Sequence, residues 1–446
     1  LMFFLIILWI QKMKILNFKT KFLIILSTIF YCTNSFGLNI NESVQSTIEK
    51  NNKVKIALEQ LNESKELIEN AIGKKLPSVT STISGTYSNS DKKTTTGDTT
   101  PETFTDKYKI TVTQNLFDYG FKDLEIERSK ILYQNELINF KKTIQDLSLN
   151  AISGYLTVIN DKKLLQVNKK NFDSVKRFLE ETKTRYSLGS ATLYELQNSQ
   201  SAFAIAETNL FIAEQNYNLS KKTFKNIVGK DAINLEEVIK FDKELNFDEI
   251  IQNIIENNFD ITLLENDIIN KKILLSKEKK SNKPNLDLSA SAEYSDAGRI
   301  DSGTESTNAS IGLTLTVPIF NQNIDKSNIR KYNSQILQAE LQLEDFKDDI
   351  EIQASNLYKE FLISKSNMSS NLIVIKSIET SLQSISEEFK LGTKSITDLI
   401  DAETDLLDAN VKYFASRKEY ILNYFNILSL HGSIIEIFED YLPKFN

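Results

Sequence analysis

The feature that most constrains this 446-residue chain is an internal duplication. The same landmarks recur in the same order, first at an offset of 207 residues and later at 203: Pro77 and Pro284, Tyr87 and Tyr294, Gly189 and Gly392, Tyr217 and Tyr420, and Gly229 and Gly432. Two copies in one register imply two equivalent structural units. We expect residues 38–229 to form the first unit and residues 245–432 the second. Residues 230–244 would link them, and residues 433–446 would form a C-terminal tail.

Glycine and proline are scarce, with 13 Gly and 5 Pro in the whole chain. Because these residues punctuate turns, their scarcity favours a few long elements over many short ones. The composition therefore disfavours a loop-rich α/β enzyme and a sandwich of many short strands.

Each unit contains two segments in which apolar and polar residues alternate, as in a strand with one apolar and one polar face. We predict strands over residues 77–88 and 106–117 in the first unit and over residues 284–295 and 308–320 in the second. Strands of about 10 residues match the length that crosses a bilayer at a tilt. Four strands are too few to close a membrane barrel, which begins at about eight. Several chains would have to pool their strands, and three chains would supply twelve.

The other segments are predicted to be helical. We expect a helix over residues 41–72, long helices over 119–186 and 322–389, and return helices over 190–228 and 393–430. The long helices lack Pro, and their apolar residues recur every seven positions: Leu137, Ile144, Ala151, Val158, Leu165, Phe172 and Leu179, then Phe361, Met368, Ile375, Leu382 and Phe389. A sustained seven-residue repeat indicates coiled-coil packing. A helix of this length extends over about 100 Å at about 1.5 Å per residue.

The N-terminal 37 residues are interpreted as an export signal. Read from Met13, lysines precede the apolar run Phe22–Tyr31, and small residues follow it up to a cleavage site after Gly37. Residues 1–12 would then be a wrongly assigned start. The alternative is a membrane anchor, but the ten-residue run is short against the roughly 20 residues that a membrane helix needs.

Composition also limits the chemistry. One Cys excludes a disulfide framework, and one His argues against a His-based metal centre or a Ser-His triad. The net charge of −7 disfavours a nucleic-acid partner. No Gly-rich phosphate loop, metal-spaced cluster or nucleophile motif is present in the sequence, so we expect neither an enzyme nor a cofactor.

Several local patterns, in this order of strands and helices, resemble the TolC family of outer-membrane efflux and secretion channels. The patterns are Tyr186-Ser-Leu-Gly189 followed by Tyr194-Glu-Leu-Gln197, the run from Phe389 to Ala402, and Val317-Pro318-Ile319-Phe320-Asn321. The last is similar to the family's strand-to-helix switch, where Pro318 would redirect the chain. The first unit departs from the family, because Asn115 stands where Pro is usual.

The resemblance implies a mostly α fold with a membrane β-barrel portion. In such a homotrimer, a 12-stranded barrel sits in outer-membrane lipid on a long α-helical coiled-coil barrel. The chain would lie in the outer membrane of a Gram-negative bacterium and extend into the periplasm. It would be the exit duct of a tripartite efflux pump or a type I protein secretion system. Its partners would be a periplasmic adaptor and an inner-membrane transporter of the RND or ABC type.

The resemblance also implies a periplasmic gate. Asp398 and Asp401 match two entrance aspartates, and their i, i+3 spacing places them on one helix face. Three chains would form a ring of six carboxylates that favours cations, could bind divalent ions weakly and should raise some of the carboxylate pKa values. Lys394 and Glu195 match a pair whose ion pair closes the entrance. Phe389 occupies a position that is usually Tyr, and it lacks the hydroxyl of that residue.

The two Leu-Gly turns would contact the adaptor, by the same resemblance. These turns are Leu188-Gly189 and Leu391-Gly392. They are also ordinary helix C-caps, and both roles can hold. Asp398 and Asp401 could simply form the solvated face of an amphipathic helix. A different class of protein, a periplasmic coiled-coil scaffold or adaptor without a pore, remains an alternative for the whole chain.

Overall fold

A computed structural model describes residues 38–89, 92–94, 97–99, 102–237, 247–299 and 304–438. Three predicted segments lie outside the described residues, wholly or in part. They are the export signal, residues 238–244 of the linker and residues 439–446 of the tail.

The two units fold into the same series of elements, apart from one short hairpin. In the first unit these are α1 (Ile40–Lys50), α2 (Asn52–Gly73), β1 (Ser78–Asn89), β2 (Lys92–Thr94), β3 (Gly97–Thr99), β4 (Glu102–Phe117), α3 (Phe121–Ser187) and α4 (Leu193–Val228). In the second they are α5 (Phe247–Asn257), α6 (Phe259–Ser281), β5 (Asn285–Arg299), β6 (Thr304–Thr316), α7 (Ile324–Lys390) and α8 (Ile396–His431), followed by α9 (Ile434–Ile437). The short hairpin, β2–β3, is described only in the first unit. The fold is mostly helical, with a small antiparallel sheet.

The long helices α3 and α7 each have 67 residues, and the return helices α4 and α8 each have 36. Their ends coincide under the offset of 203 residues. The seven-residue repeat lies on buried or half-buried faces, as shown by Ile144, Ala151 and Val158 in α3 and by Phe361 and Ile375 in α7. The described helices are all either too short or too polar to cross a bilayer.

The predicted single helix over residues 41–72 is wrong, because the chain leaves the helical conformation at Asn51. There the backbone is extended, and the Asn51 side chain accepts a hydrogen bond of 2.9 Å from the Lys53 N–H. The second unit breaks at Asn258, whose side chain accepts from the N–H groups of Asp260 and Ile261. An Asn that caps the next helix satisfies amides that have no helical partner.

The sheet has the strand order β1-β4-β5-β6, and every neighbouring pair is antiparallel. β1–β4 and β5–β6 are the hairpins of the two units, and β4–β5 joins one unit to the other. Within the described chain, β1 and β6 are edge strands with a partner on one side only. The apolar face is exposed: Ile83 on β1 and Ile311 on β6 are 73% and 78% exposed.

The predicted strand over residues 308–320 ends early, at Thr316. Pro318 has no N–H to donate to a ladder, so the strand pairing stops before it. Its counterpart in the first unit, Asn115, lies within β4, which continues to Phe117 by pairing with β5. The Asn115 side chain donates 2.8 Å to the Asp287 carboxylate at a register shift in this pairing.

The main core lies where the middle of α3 meets the C-terminal ends of α4 and α8 and the helix α1. Tyr155 is fully buried there, and its hydroxyl lies 2.9 Å from the Leu38 carbonyl oxygen and 2.7 Å from that of Glu236. Residues 230–237, the described start of the predicted linker, run over this core without helix or strand. Glu237 holds them there through an ion pair of 2.6 Å to Lys163.

The described part of the predicted C-terminal tail, residues 433–438, packs on the helices. These residues include the short helix α9, and Ile434 and Phe438 are buried in the main core. Burial of two large apolar side chains fixes the segment to the bundle.

Candidate functional site

The predicted site lies at the ends of the long helices, where two turns share one geometry. Gly189 has φ +73°, and the Ser190 N–H donates 2.8 Å to the Arg185 carbonyl oxygen. Gly392 has φ +76°, and the Thr393 N–H donates 3.0 Å to the Glu388 carbonyl oxygen. This is the Schellman helix end, which needs a left-handed residue.

The leucines beside these glycines point into solvent. Leu188 is 76% exposed and Leu391 is 79% exposed. A large apolar side chain at the tip of each helical hairpin offers contact area to a partner. The four residues that were predicted to contact an adaptor therefore lie in two pairs. Leu188 and Gly189 are on one tip, and Leu391 and Gly392 are on the other.

Each return helix begins with a capping box at an equivalent position. The Glu195 carboxylate accepts 2.7 Å from the Thr192 N–H, while the Glu195 N–H donates 3.2 Å to the Thr192 hydroxyl. The Asp398 carboxylate accepts 2.8 Å from the Ser395 N–H, and the Asp398 N–H donates 3.2 Å to the Ser395 hydroxyl. Two of the three predicted site carboxylates, Glu195 and Asp398, therefore stabilise the first turn of a helix.

These hydrogen bonds hold both carboxylates in the charged form. The backbone N–H of Thr192, then its hydroxyl and the nearby Arg185, lower the pKa of Glu195. The backbone N–H of Ser395, then its hydroxyl and Lys394, lower the pKa of Asp398. Donors and cations that face a carboxylate favour ionisation. Within one protomer, the pKa shift of Asp398 is thus opposite to the rise that we expect from a ring of carboxylates.

Asp401 lies one turn after Asp398 on α8 and is exposed. The same face continues through Asp405 and Asp408, both exposed, at spacings of four and three residues. The sequence contains these two aspartates at helical spacing, but they lie outside the motif that drew attention to the first two. In the described part of the chain, no three His, Cys, Asp or Glu side chains form a group that could hold a metal ion.

The predicted ion pair between Glu195 and Lys394 is not among the pairs of this protomer's described residues. Lys394, in the turn just before α8, lies 3.7 Å from the Asp398 carboxylate. Glu195 is engaged by Thr192. The two return helices do approach each other here, because the Asn198 side chain donates 3.3 Å to the Thr397 hydroxyl.

Phe389 is buried rather than exposed at the tip. It packs in a small apolar cluster with Ile396, Leu399 and Ile400 at the start of α8. The Arg185 guanidinium lies 5.1 Å from the centre of the Phe389 ring. A cation over an aromatic face is stabilising, so Arg185 links the tip of α3 to that of α7.

Arg185 was missed by sequence reasoning. Its counterpart in the second unit is Glu388, so the repeat gives no reason to single it out. Only its place, four residues before Gly189, puts it at the tip. Its contact with Phe389 depends on how α3 packs on the neighbouring hairpin, chiefly on α8, which local patterns do not specify.

Comparison with known proteins gives a consistent result. A family model described as "Outer membrane efflux protein" matches residues 33–230 and 250–433. The Outer membrane protein TolC of Escherichia coli (strain K12) is 22% identical over 346 residues, which are 73% of this chain and 69% of that protein. The Outer membrane efflux protein BepC of Brucella suis biovar 1 is 20% identical over 362 residues, or 78% and 76% of the two chains.

Solved structures share the fold. The CmeC outer membrane channel of Campylobacter jejuni superposes with a TM-score of 0.76 at 15% identity, covering 91% of this chain and 90% of its own. The outer membrane protein VceC of Vibrio cholerae has a TM-score of 0.76 at 13% identity, covering 88% and 96%.

Proposed function

The chain belongs to the outer membrane efflux protein family, and on this premise we propose that three copies close a duct through the outer membrane into the periplasm. The duct is a passive exit for a tripartite efflux pump or for a type I secretion system. It performs no chemistry on its cargo, and a partner in the inner membrane supplies the energy.

The observation that carries this proposal is the open sheet with two unlike faces. One face presents exposed apolar side chains, as on Ile83 and Ile311. The other carries charged groups such as Lys109 and Glu293, which lie 3.5 Å apart across β4–β5. Such a sheet suits lipid outside and water inside, but an open edge is not tolerated in lipid. Pooling the strands of three chains removes the edges.

The helices continue the duct. Because α3 and α7 extend over about 100 Å at about 1.5 Å per residue, they reach far beyond the sheet. Their tips carry the exposed Leu188 and Leu391, which we assign to contact with a periplasmic adaptor. An inner-membrane transporter of the RND or ABC type would complete the assembly.

We assign the entrance gate to Asp398 and Asp401. Three-fold symmetry would place six of these carboxylates around the narrow end, where rings of carboxylates select cations. The lowered pKa of Asp398 supports a charged ring, because it favours the ionised form before the chains meet. Lys394 and Glu195 could pair between neighbouring copies in the closed state by exchanging their present partners.

Two adjacent residues on β1 test the membrane assignment. Ile83 lies on the apolar face and Ser84 on the polar face. Ile83→Lys would place a charge in lipid, at a cost of about 2–4 kcal/mol near the bilayer midplane. Ser84→Lys, the matched control, would place it in the water-filled lumen.

The readouts are the amount of protein in the outer membrane and its conductance in planar bilayers. We expect discrete channels from the wild type and from Ser84→Lys, and loss of membrane assembly in Ile83→Lys. A wild type that gives no channels, or two variants that behave alike, would favour a periplasmic scaffold without a pore.

A further inference from the structure

The two hairpins of the sheet match residue for residue. Ser78 pairs with Thr113 in the first unit, and Asn285 pairs with Thr316 in the second. The second pair is the first one shifted by 207 residues on one strand and by 203 on the other. The repeat therefore preserves strand register, not just the order of elements.

One junction inside the chain has no counterpart within the described chain. β4, the second strand of the first unit, pairs with β5, the first strand of the second unit. The equivalent neighbour of β6 would be β1, but these two strands lie at opposite edges of the sheet. Only the β1 of another copy can take that place.

We propose that β6 of one copy pairs with β1 of the next in the register of the β4–β5 junction. This inference rests on the trimeric duct proposed above and adds the residue pairs. Tyr108↔Tyr294 becomes Ile311↔Tyr87 of the neighbouring copy, Val112↔Ala290 becomes Leu315↔Ile83, and Phe117↔Leu286 becomes Phe320↔Val79. Each of these new pairs joins two exposed apolar side chains.

The register explains a further exposed segment. Residues 317–320 lie outside β6, and Ile319 is 96% exposed. Their counterparts on β4 are held by β5 alone, since the pairing of β1 with β4 starts at Ser78 and Thr113. A neighbouring β1 would cover residues 317–320 in the same way.

Charges on the helices support the same juxtaposition. Inside the chain, α3 packs on α6, and Lys142 forms an ion pair with Asp260. The equivalent contact between copies joins α7 to α2, and it sets Asp345 against Lys53. Inside the chain the long helix supplies the lysine, whereas between copies it would supply the aspartate. The two side chains therefore remain oppositely charged.

Two other contacts inside the chain also have polar equivalents between copies. The Arg128 Nε donates 3.1 Å to the Asn270 side-chain oxygen, and the equivalent pair between copies is Lys331 with Glu63. The Asn266 amide donates 2.8 Å to Asn135, and the equivalent pair is Glu59 with Gln338. In the single chain, the residues of α2 and α7 that would form these pairs are all exposed: Lys53, Glu59, Glu63, Lys331, Gln338 and Asp345.

Burial also differs between the two long helices in the expected direction. α3, flanked by helices of both units, has more than twice as many buried residues as α7. α7 instead exposes Leu341 and Ile352, and α2 exposes Ile56 and Leu67. These surfaces are the ones that the proposed interface would cover.

Cysteine pairs in the full chain test the strand register, with Cys32 replaced by Ser. Leu315→Cys with Ile83→Cys places the two sulfurs on directly opposite residues, within disulfide reach. Leu315→Cys with Tyr87→Cys, shifted by four residues along β1, is the matched control. We expect oxidation to link most of the first variant into covalent trimers and to leave the control unlinked.

A charge exchange tests the helices. Lys53→Asp should weaken the trimer in native mass spectrometry, and adding Asp345→Lys should restore it. If the wild type is trimeric but the shifted cysteine pair is linked, or neither pair is linked, the proposed register is wrong and the duct still stands. A monomeric wild type in the membrane would overturn both.

Discussion

Glu195 and Asp398 occupy the same position in the two units, and each closes the first turn of a return helix through its carboxylate. The motif resemblance suggests Asp398 as a gate residue, and the structure shows that it caps the first turn of α8. Both the cap and the proposed gate need the ionised form of the carboxylate. A capping carboxylate aimed at backbone N–H groups is therefore already prepared for a charged ring.

The lowered pKa of Glu195 predicts an acid-sensitive tip. Because the folded pKa lies below the unfolded value, the capping contribution is fully present above the unfolded pKa. It is lost as the pH falls through the folded pKa. We expect amide hydrogen exchange over residues 193–198, corrected for its intrinsic rate, to speed up in that acid window. Glu195→Gln, which keeps an acceptor but cannot titrate, should show no such change, and an equal change in this variant would refute the explanation.

If Asp398 and Asp401 form the gate, divalent cations should block the wild-type channel, and neutralising both aspartates should abolish that block. Asp398→Asn with Asp401→Asn removes the charge but keeps an oxygen that can cap α8. Conductance of this double variant in planar bilayers should become insensitive to divalent cations on the periplasmic side. Glu387→Gln, at an exposed tip position paired with Lys390, is the control and should keep the block. Block that persists in the double variant would remove these aspartates from the gate.

Lys394 and Lys390 are two nearby cations whose comparison tests how the entrance closes. If Lys394 ties neighbouring tips, Lys394→Ala should raise the conductance of the resting channel. An exposed ion pair is worth only about 0–1 kcal/mol, so we expect a partial effect. Lys390→Ala, four residues earlier on α7 and paired with Glu387 within its own helix, should leave conductance unchanged. Equal effects of the two variants would count against the tie.

At the scale of elements, the turns at the two tips are the most strongly determined part of the site. A positive φ at Gly189 and Gly392 ends each long helix and starts the return of the chain. A Cβ would meet nothing within 4 Å at either glycine, so the only cost of a side chain there is conformational. This makes the turns a clean place to separate backbone strain from packing.

Gly189→Ala and Gly392→Ala should each destabilise their turn by about 1–2 kcal/mol, the cost of a left-handed L-residue. Local hydrogen exchange at residues 188–192 or 391–395 should rise accordingly. Gly73→Ala is the control, because Gly73 ends α2 with open space around it and no left-handed φ. If that control costs as much as the tip variants, backbone conformation is not what the tip glycines supply.

Element positions followed closely from the sequence where one pattern dominates. The absence of Pro and the seven-residue repeat placed the two long helices, and alternation placed the strands. The break at Asn51 was missed because an Asn within an apolar periodicity gives no indication of whether its side chain will cap a new helix. Arg185 over Phe389 and the packed α9 depend on contacts between distant segments, which no local pattern encodes.

At the scale of the whole molecule, duplication is the property from which the others follow. Two equivalent units give a sheet and a helical layer whose internal junction can be repeated between chains. The apolar face and the open edges of the sheet need lipid and further strands. In the proposed trimer, three copies would satisfy both needs with twelve strands, and they would bring the aspartates of the tips around one axis.

Electron cryomicroscopy of the full chain, purified from membranes, would show whether the chains assemble in this way. We predict a three-fold trimer in which β6 of each copy pairs with β1 of the next. Twelve strands would enclose a lumen that continues between the long helices to Asp398 and Asp401. A single chain, or an assembly whose sheets stay open with their apolar faces packed on helices, would contradict it.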